Sequence, residues 1–437
     1  MTGGTITTSG TIAVDPSSTT LTGNFFKQGG NAFGVLAGAT AVLGTTDNNA
    51  IDIRANNGRV MRYEPNAVSP NVIGGSPANS VTSGVRGATI GGGGVPAGDT
   101  DPSLFNEAPN VVTDAYGTVG GGYANQAGDG AGTVTDAPFA TVAGGSVNRA
   151  GGLGSTVGGG FSNNASSLYS TVAGGSGNIA GGGSSTVAGG FGNVATGIGS
   201  AIAGGSNNAA GGQNSFVAGG NSNGIAAAAS GSAAIGSGHS ITGASSVALG
   251  KAANIQSSGS FVFCDGSAGV CNSTVDNEFI AGATGGFGFY TAKNYGTGCH
   301  IPPGGGAWSC SSSRDVKTGF AAVDSGEVLE KVIALPMTTW QFVGERSGAR
   351  HLGPMAQDFH AAFALGDDER SIATVDGQGV ALAAIQGLNA KLEAKVAEQA
   401  REIAELKSSH ATEIAQLKRA VEVLLARTSP EGVMAAK

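Results

Sequence analysis

The sequence predicts a mainly β chain: a parallel solenoid that needs neighbouring copies, followed by a charged C-terminal quarter of different construction. Three observations carry this reading: glycine without a collagen period, a 15-residue repeat, and a change of composition near residue 310. Glycine fills 79 of the 437 positions, yet no strict Gly-X-Y period runs through them, which excludes collagen. Apolar residues reach 40% and recur regularly, as they do not in disordered linkers.

The repeat is read from Thr141-Val142-Ala143-Gly144-Gly145, Thr156-Val157-Gly158-Gly159-Gly160 and Thr171-Val172-Ala173-Gly174-Gly175. It continues through Thr186-Val187, Ala201-Ile202 and Phe216-Val217, placing an apolar residue every 15 positions from 142 to 217. A second small or apolar cluster lies half a period away, as in Asn178-Ile179-Ala180 and Asn193-Val194-Ala195. Fifteen residues hold two short strands and two tight turns, so one repeat is one coil of a β-solenoid. Gly and Ala beside the strands imply a narrow core, and Asn with Gly is expected to supply left-handed turns. So thin a roll buries little on its own against about 1–2 kcal/mol of backbone entropy per residue, which favours a homotrimer. At about 4.8 Å per coil, some twelve coils predict a rod of roughly 55–60 Å.

Ahead of the repeats, Thr5-Ile6-Thr7-Thr8, Thr11-Ile12-Ala13-Val14, Ile51–Arg54 and Arg59–Tyr63 read as short strands, with Asn57-Gly58 as a type I′ hairpin turn. Behind them, Ser260–Phe263 and Gly286–Tyr290 read as a β neck. The four cysteines, Cys264, Cys271, Cys299 and Cys310, match no usual zinc spacing. Local disulfides Cys264–Cys271 and Cys299–Cys310 are the plainest reading; four small buried thiols are the alternative. The net charge of −8 and the lack of a basic stripe argue against nucleic acid as a partner. No run of about 20 apolar residues predicts a membrane-spanning helix, and the N-terminus lacks the pattern of a secretory signal. No cofactor or metal site is expected.

Charge divides the chain. Between Asp136 and Asp265 there is no acidic residue, and Arg149 and Lys251 are the only Lys or Arg; beyond Arg314 charge is ordinary or dense. From Leu382 to about Leu425 a heptad seam runs through Ile385, Leu392, Val396, Ile403 and Leu406, then, after a shift, Ile414, Leu417, Val421 and Leu424. This predicts a three-stranded coiled coil, with Asn389, Gln399 and His410 near the seam.

The (Ser/Thr)-Val-Ala-x-Gly units of residues 70–250 resemble the head of YadA-type trimeric autotransporter adhesins, which implies a left-handed parallel β-roll. Farther on come Ser311-Ser312-Ser313-Arg314-Asp315-Val316-Lys317, Pro336–Trp340, His351-Leu352-Gly353-Pro354-Met355-Ala356-Gln357-Asp358-Phe359 and Asp376–Gln386, the last leading into a helix. In this order they resemble the C-terminal intramolecular chaperone of phage tailspikes and endosialidases, a self-cleaving serine peptidase family. The resemblance implies a Ser-Asp-x-x-x-Lys motif, with Ser312 as nucleophile, Lys317 as base and Ser311–Ser312 as the scissile bond. Ser313 stands where the family has Asp. The chemistry suits these residues: a hydroxyl needs a neutral base, and a lysine becomes one when desolvated. Val316 and Phe320 are expected to supply that desolvation in an assembled trimer. His351 and His360 sit near Asp358 but are expected to be packing elements and not a triad.

The expected fold is therefore a trimeric left-handed parallel β-roll fibre, followed by a small α+β chaperone domain ending in a coiled-coil helix. The expected divisions are an N-terminal β-rich region (1–68), roll (69–254), β neck (255–310), chaperone and autoprotease (311–384) and coiled coil (385–427). The expected role is a tail-fibre or adhesin-like structural protein, of the virion or a cell surface, partnered by itself and by a host-cell receptor or glycan. A bacterial surface adhesin is one alternative, disfavoured because such proteins end in a membrane β-barrel. A polysaccharide-degrading tailspike is another, disfavoured because the stretch from 137 to 264 lacks the paired carboxylates glycoside hydrolysis needs; Asp47, Asp52 and Glu64 remain upstream.

Overall fold

The computed structural model describes residues 45, 47–96, 108–267, 269–345 and 347–428. The strands expected at Thr5–Thr8 and Thr11–Val14 lie outside these. The chain divides into two compact units, Met1–Cys310 and Ser311–Lys437.

The first unit is a β-solenoid. Each 15-residue coil gives one dipeptide strand to each of two sheets, as Thr156–Val157 and then Asn164–Ala165. These coil strands pair in parallel with their equivalents one coil on, Val157 opposite Val172 and Ala165 opposite Ala180. Among the described residues the two sheets hold 15 and 12 strands, the first sheet opening on an antiparallel hairpin. Because the pleat alternates, one residue of each dipeptide points inward. Val142, Val157, Val172, Val187, Ile202 and Val217 form one inner column, and Ala150, Ala165, Ala180, Ala195 and Ala210 the facing one, all at 0–1% exposure. The core is thus one β-branched residue and one alanine thick. That explains why the sequence repeats these types so strictly.

The repeating asparagines are not turn residues here. Asn148, Asn163, Asn178, Asn193, Asn208 and Asn223 are buried, and each continues a hydrogen-bonded ladder along the roll. The Asn178 backbone N–H donates to Asn163 Oδ1 (3.0 Å), and its own Oδ1 accepts from the Asn193 N–H (3.0 Å). Its amide Nδ2 donates to the carbonyls of Gly174 (3.0 Å) and Gly190 (2.9 Å). One side chain therefore satisfies three backbone groups, one in its own coil and two in the next, as a buried polar group must to repay its desolvation. The left-handed turns are made by glycines and by other residues, including Asn207 and Asn214.

His239 replaces asparagine at the next rung. Its N–H donates to Asn223 Oδ1 (3.2 Å), its Nδ1 accepts from the Ala253 N–H (3.1 Å), and its Nε2 lies 3.2 Å from the Ile235 carbonyl. Accepting at Nδ1 requires the neutral ring, and burial pushes its pKa below the usual 6.5. The unfolded chain therefore takes up the proton first. Stability from this site is complete above about pH 6.5 and falls as pH drops toward the depressed folded value, by at most about 1.4 kcal/mol per pH unit per chain. His239→Asn is expected to keep the ladder and flatten this term. Unfolding midpoints at pH 7.5 and 5 should fall farther for wild type than for the variant; equal falls would exclude His239 as the source.

Two other details depart from expectation. The hairpin joining Ile51–Ala55 to Gly58–Glu64 turns at Asn56 and Asn57, both with positive φ, one residue earlier than Asn57-Gly58. Asn tolerates that conformation, and Gly58 opens the second strand instead. The solenoid also continues past residue 254: Phe261–Cys264 and Phe279–Gly282 extend the first sheet in parallel. Val262 keeps the inward place while Phe261 turns outward, so the core is continuous although the outer face has changed. Disulfides join Cys264 to Cys271 and Cys299 to Cys310, the latter two directly opposite in an antiparallel pair.

The second unit begins at Ser311. Helix α1 (Ser325–Ala334) starts on Asp324, whose carboxylate accepts from the Gly326 and Glu327 N–H groups. A two-stranded antiparallel pair, Thr338–Trp340 with His351–Gly353, follows, then α2 (Ala356–Phe363) and α3 (Thr374–Thr428). Leu329, Phe359, Val380 and Ala384 make the small core. Lys391 on α3 is bridged to Glu330 on α1 (2.8 Å). The run Asp376–Gln386, expected to lead into a helix, is already part of α3. From Leu388 to Arg427 every residue of that helix is exposed.

Candidate active site

The second unit opens on three exposed serines. Ser313 is extended (φ −62°, ψ 151°), and the chain then makes one turn of 3₁₀ helix, Arg314–Val316, before leaving extended at Lys317 (φ −126°, ψ 152°). That turn folds the five-residue spacing back on itself. Lys317 Nζ comes to 2.7 Å from Ser312 Oγ, donating a hydrogen bond. The two side chains expected to act as nucleophile and base are therefore in contact. Geometry of this kind is the first requirement for general-base activation of a hydroxyl.

Ser313 holds the turn. Its Oγ accepts from the Asp315 N–H (3.2 Å) and donates to Asp315 Oδ2 (3.0 Å). Serine is among the preferred residues for capping a helical turn, as aspartate is, so the replacement at this position retains a capping group. Ser312, Lys317, Val316 and Phe320 are all exposed in the single chain, Val316 at 41% and Phe320 at 70%. The Ser312–Lys317 contact is therefore open to solvent.

Residues 312–365 match the model of the family described as chaperone of endosialidase, Peptidase_S74, a family of self-cleaving peptidases. The segment is an endosialidase-type chaperone domain. No curated protein matches the chain. The match opens on Ser312 and closes just beyond α2, so the chaperone domain takes in the serine–lysine contact, α1, the small antiparallel pair and α2.

The two histidines of the matched segment are structurally occupied. His351 Nε2 lies 3.0 Å from Glu345 Oε2 and its ring packs on Trp340 and Phe342. His360 Nδ1 lies 2.9 Å from the Leu365 carbonyl. Their hydrogen bonds thus go to Glu345 and Leu365, not to Asp358.

In the first unit, Asp52 is held as a carboxylate by neighbouring arginines. Asp52 is bonded to Arg62 (2.8 Å), with Arg54 also beside it, and these hold its carboxyl at about 2. The general acid of a glycosidase must be shifted the other way, so Asp52 does not suit that one role. Among the described residues, Asp114, Asp129 and Asp136 form the one group with metal-ligand geometry, their oxygens within 4.8 Å of one another. These oxygens already accept from the chain itself: Asp114 from Thr113 and the Asp129 N–H, Asp136 from the Thr133 N–H. Asp114 is buried, which raises its pKa and closes it to a polymer.

Proposed function

We propose that the chain is a homotrimeric tail-fibre or adhesin-like protein of a virion or outer surface, matured when its chaperone domain cuts itself away. The observation that carries this is the 2.7 Å contact of Lys317 Nζ with Ser312 Oγ at the first residue of the matched segment. In the proposed reaction Ser312 Oγ attacks the carbonyl carbon of Ser311, and Lys317, as the free amine, takes the hydroxyl proton. The Ser311–Ser312 C–N bond breaks, the proton passes to the departing Ser312 nitrogen, and an ester joins Ser311 to Ser312 Oγ. Water hydrolyses the ester, leaving a Ser311 carboxylate and a new N-terminus at Ser312.

Trimer formation is supported by the exposed heptad seam of α3, where Leu392, Val396, Ile403 and Leu406 stand 51–59% exposed. Apolar residues at this spacing on a stretch of helix that buries nothing in the single chain suit a coiled coil. The chaperone would gather three chains and set their register before the parallel coils zip, a slow and non-local pairing. Assembly would also remove water from Lys317, so that cleavage reports a completed trimer. Receptor or glycan binding by the roll belongs to this reading as the role of a mature fibre. The test is the denatured mass of folded protein: two pieces, residues 1–311 and 312–437, support the proposal, and a single uncut chain from an assembled trimer rejects autoproteolysis.

A further inference from the structure

We infer that Ser313 and Asp315 are positioning residues for the self-cleavage, an inference that rests on the autoproteolytic reading above. Three serines stand in a row, and one of them must receive the base. Lys317 donates to Ser312, while the hydroxyl of Ser313 is engaged on both sides by Asp315: it accepts the N–H at 3.2 Å and donates to the carboxylate at 3.0 Å.

Two consequences follow from this arrangement. The cap fixes the single turn Arg314–Val316, in which the Val316 N–H donates to the Ser313 carbonyl (3.3 Å) and the Lys317 N–H to that of Arg314 (3.2 Å). Without the cap, a one-turn segment with no buried residue has little else to hold it, and the distance from residue 312 to residue 317 becomes a distribution. The same hydrogen bond to Asp315 also commits the Ser313 hydroxyl proton to a carboxylate. Ser313 is thereby withdrawn from competition for Lys317, which sets the cut before Ser312 and not before Ser313. The role sought at this position is an acceptor for the N–H two residues on. Asp, Asn and Thr supply one; Ala does not.

The test compares first-order cleavage rates of purified, assembled full-length trimers, read by intact mass, for wild type, Ser313→Ala, Ser313→Asp, Ser313→Asn and Asp315→Ala. Ser313→Ala is expected to cut about fivefold more slowly, the cost of one lost cap, with the pH profile of the rate unmoved because the base is the same. Ser313→Asp and Ser313→Asn are expected to recover most of the rate. Asp315→Ala is expected to give a fraction of product displaced by one serine, cut before residue 313. A general folding defect would lower the trimer yield and leave the rate per trimer as it was. Ser313→Ala cutting at the wild-type rate overturns the inference, as does an Asp or Asn variant as slow as Ala. A wild type that never cuts, matching Ser312→Ala in mass, overturns the autoproteolytic reading itself, so the two failures are distinguishable.

Discussion

Ser312→Ala and Lys317→Ala are each expected to yield assembled, full-length protein with no cleavage, where wild type resolves into residues 1–311 and 312–437. The expected loss is complete because a dyad has no spare member: alanine at 312 removes the attacking oxygen, and alanine at 317 leaves it without a base. Lys317→Arg separates base from charge. A guanidinium is protonated at all working pH values, so it preserves the cation beside Ser312 and cannot accept the proton. It too should remain uncut. Both side chains are exposed, so neither variant disturbs a core, and the trimer should form in each case. The decisive measurement pairs denatured mass with native mass. Cleavage in Lys317→Arg would show that charge alone suffices and would sink the general-base role. The same pairing tests the link to assembly, because a hydrated lysine is a poor base. Monomer kept dilute should stay uncut, and cutting should appear with the trimer.

The architecture of the first unit was legible because its physics repeats. A solenoid imposes one environment every 15 residues, so Val142, Val157 and Val172 declare an inner column without any structure. Roles that depend on which neighbour a side chain reaches were not legible. Asn178 looks like a turn residue by type, since Asn favours left-handed turns, yet it is buried and bonded to three coils. Only the pairing of coil with coil puts backbone donors and acceptors at its amide. The end of the roll was misplaced for a related reason. Phe261 and Phe263 erase the small-residue signature on the outer face, while the inward Val262 and Cys264 keep the coil intact. At the chaperone domain, residue types and spacing alone could not distinguish Ser312-x4-Lys317 from a polar linker; order among distant motifs made the resemblance. What the structure adds is the turn that joins them and the part Ser313 plays in it.

The glycine pairs show the same limit, and they give the second large effect. Gly174 and Gly175 are adjacent and indistinguishable by type, but their surroundings differ sharply. A Cβ on Gly174 would meet nothing within 4 Å. A Cβ on Gly175, whose φ is +89°, would lie 2.2 Å from the Gly190 carbonyl oxygen and 2.6 Å from Asn178 Nδ2. Both obstacles are fixed, one being backbone of the next coil and the other a rung of the asparagine ladder. Gly175→Ala therefore combines the cost of a left-handed residue with overpacking against a rigid neighbour, about 2–5 kcal/mol per chain in sum. Three copies in one trimer would each carry it. Gly174→Ala should fall within about 0.5 kcal/mol of wild type. Thermal unfolding of the two variants, with soluble trimer yield beside it, measures the contrast. A large loss at Gly175 with little at Gly174 is expected from stacked coils whose carbonyls point at the next glycine. Equal losses would mean that backbone approach between coils does not decide this position, and that the outer surface at Gly174 carries a contact of similar weight. Gly175 and Asn178 both face the next coil, so the register of the roll is fixed from inside and not by its outer residues.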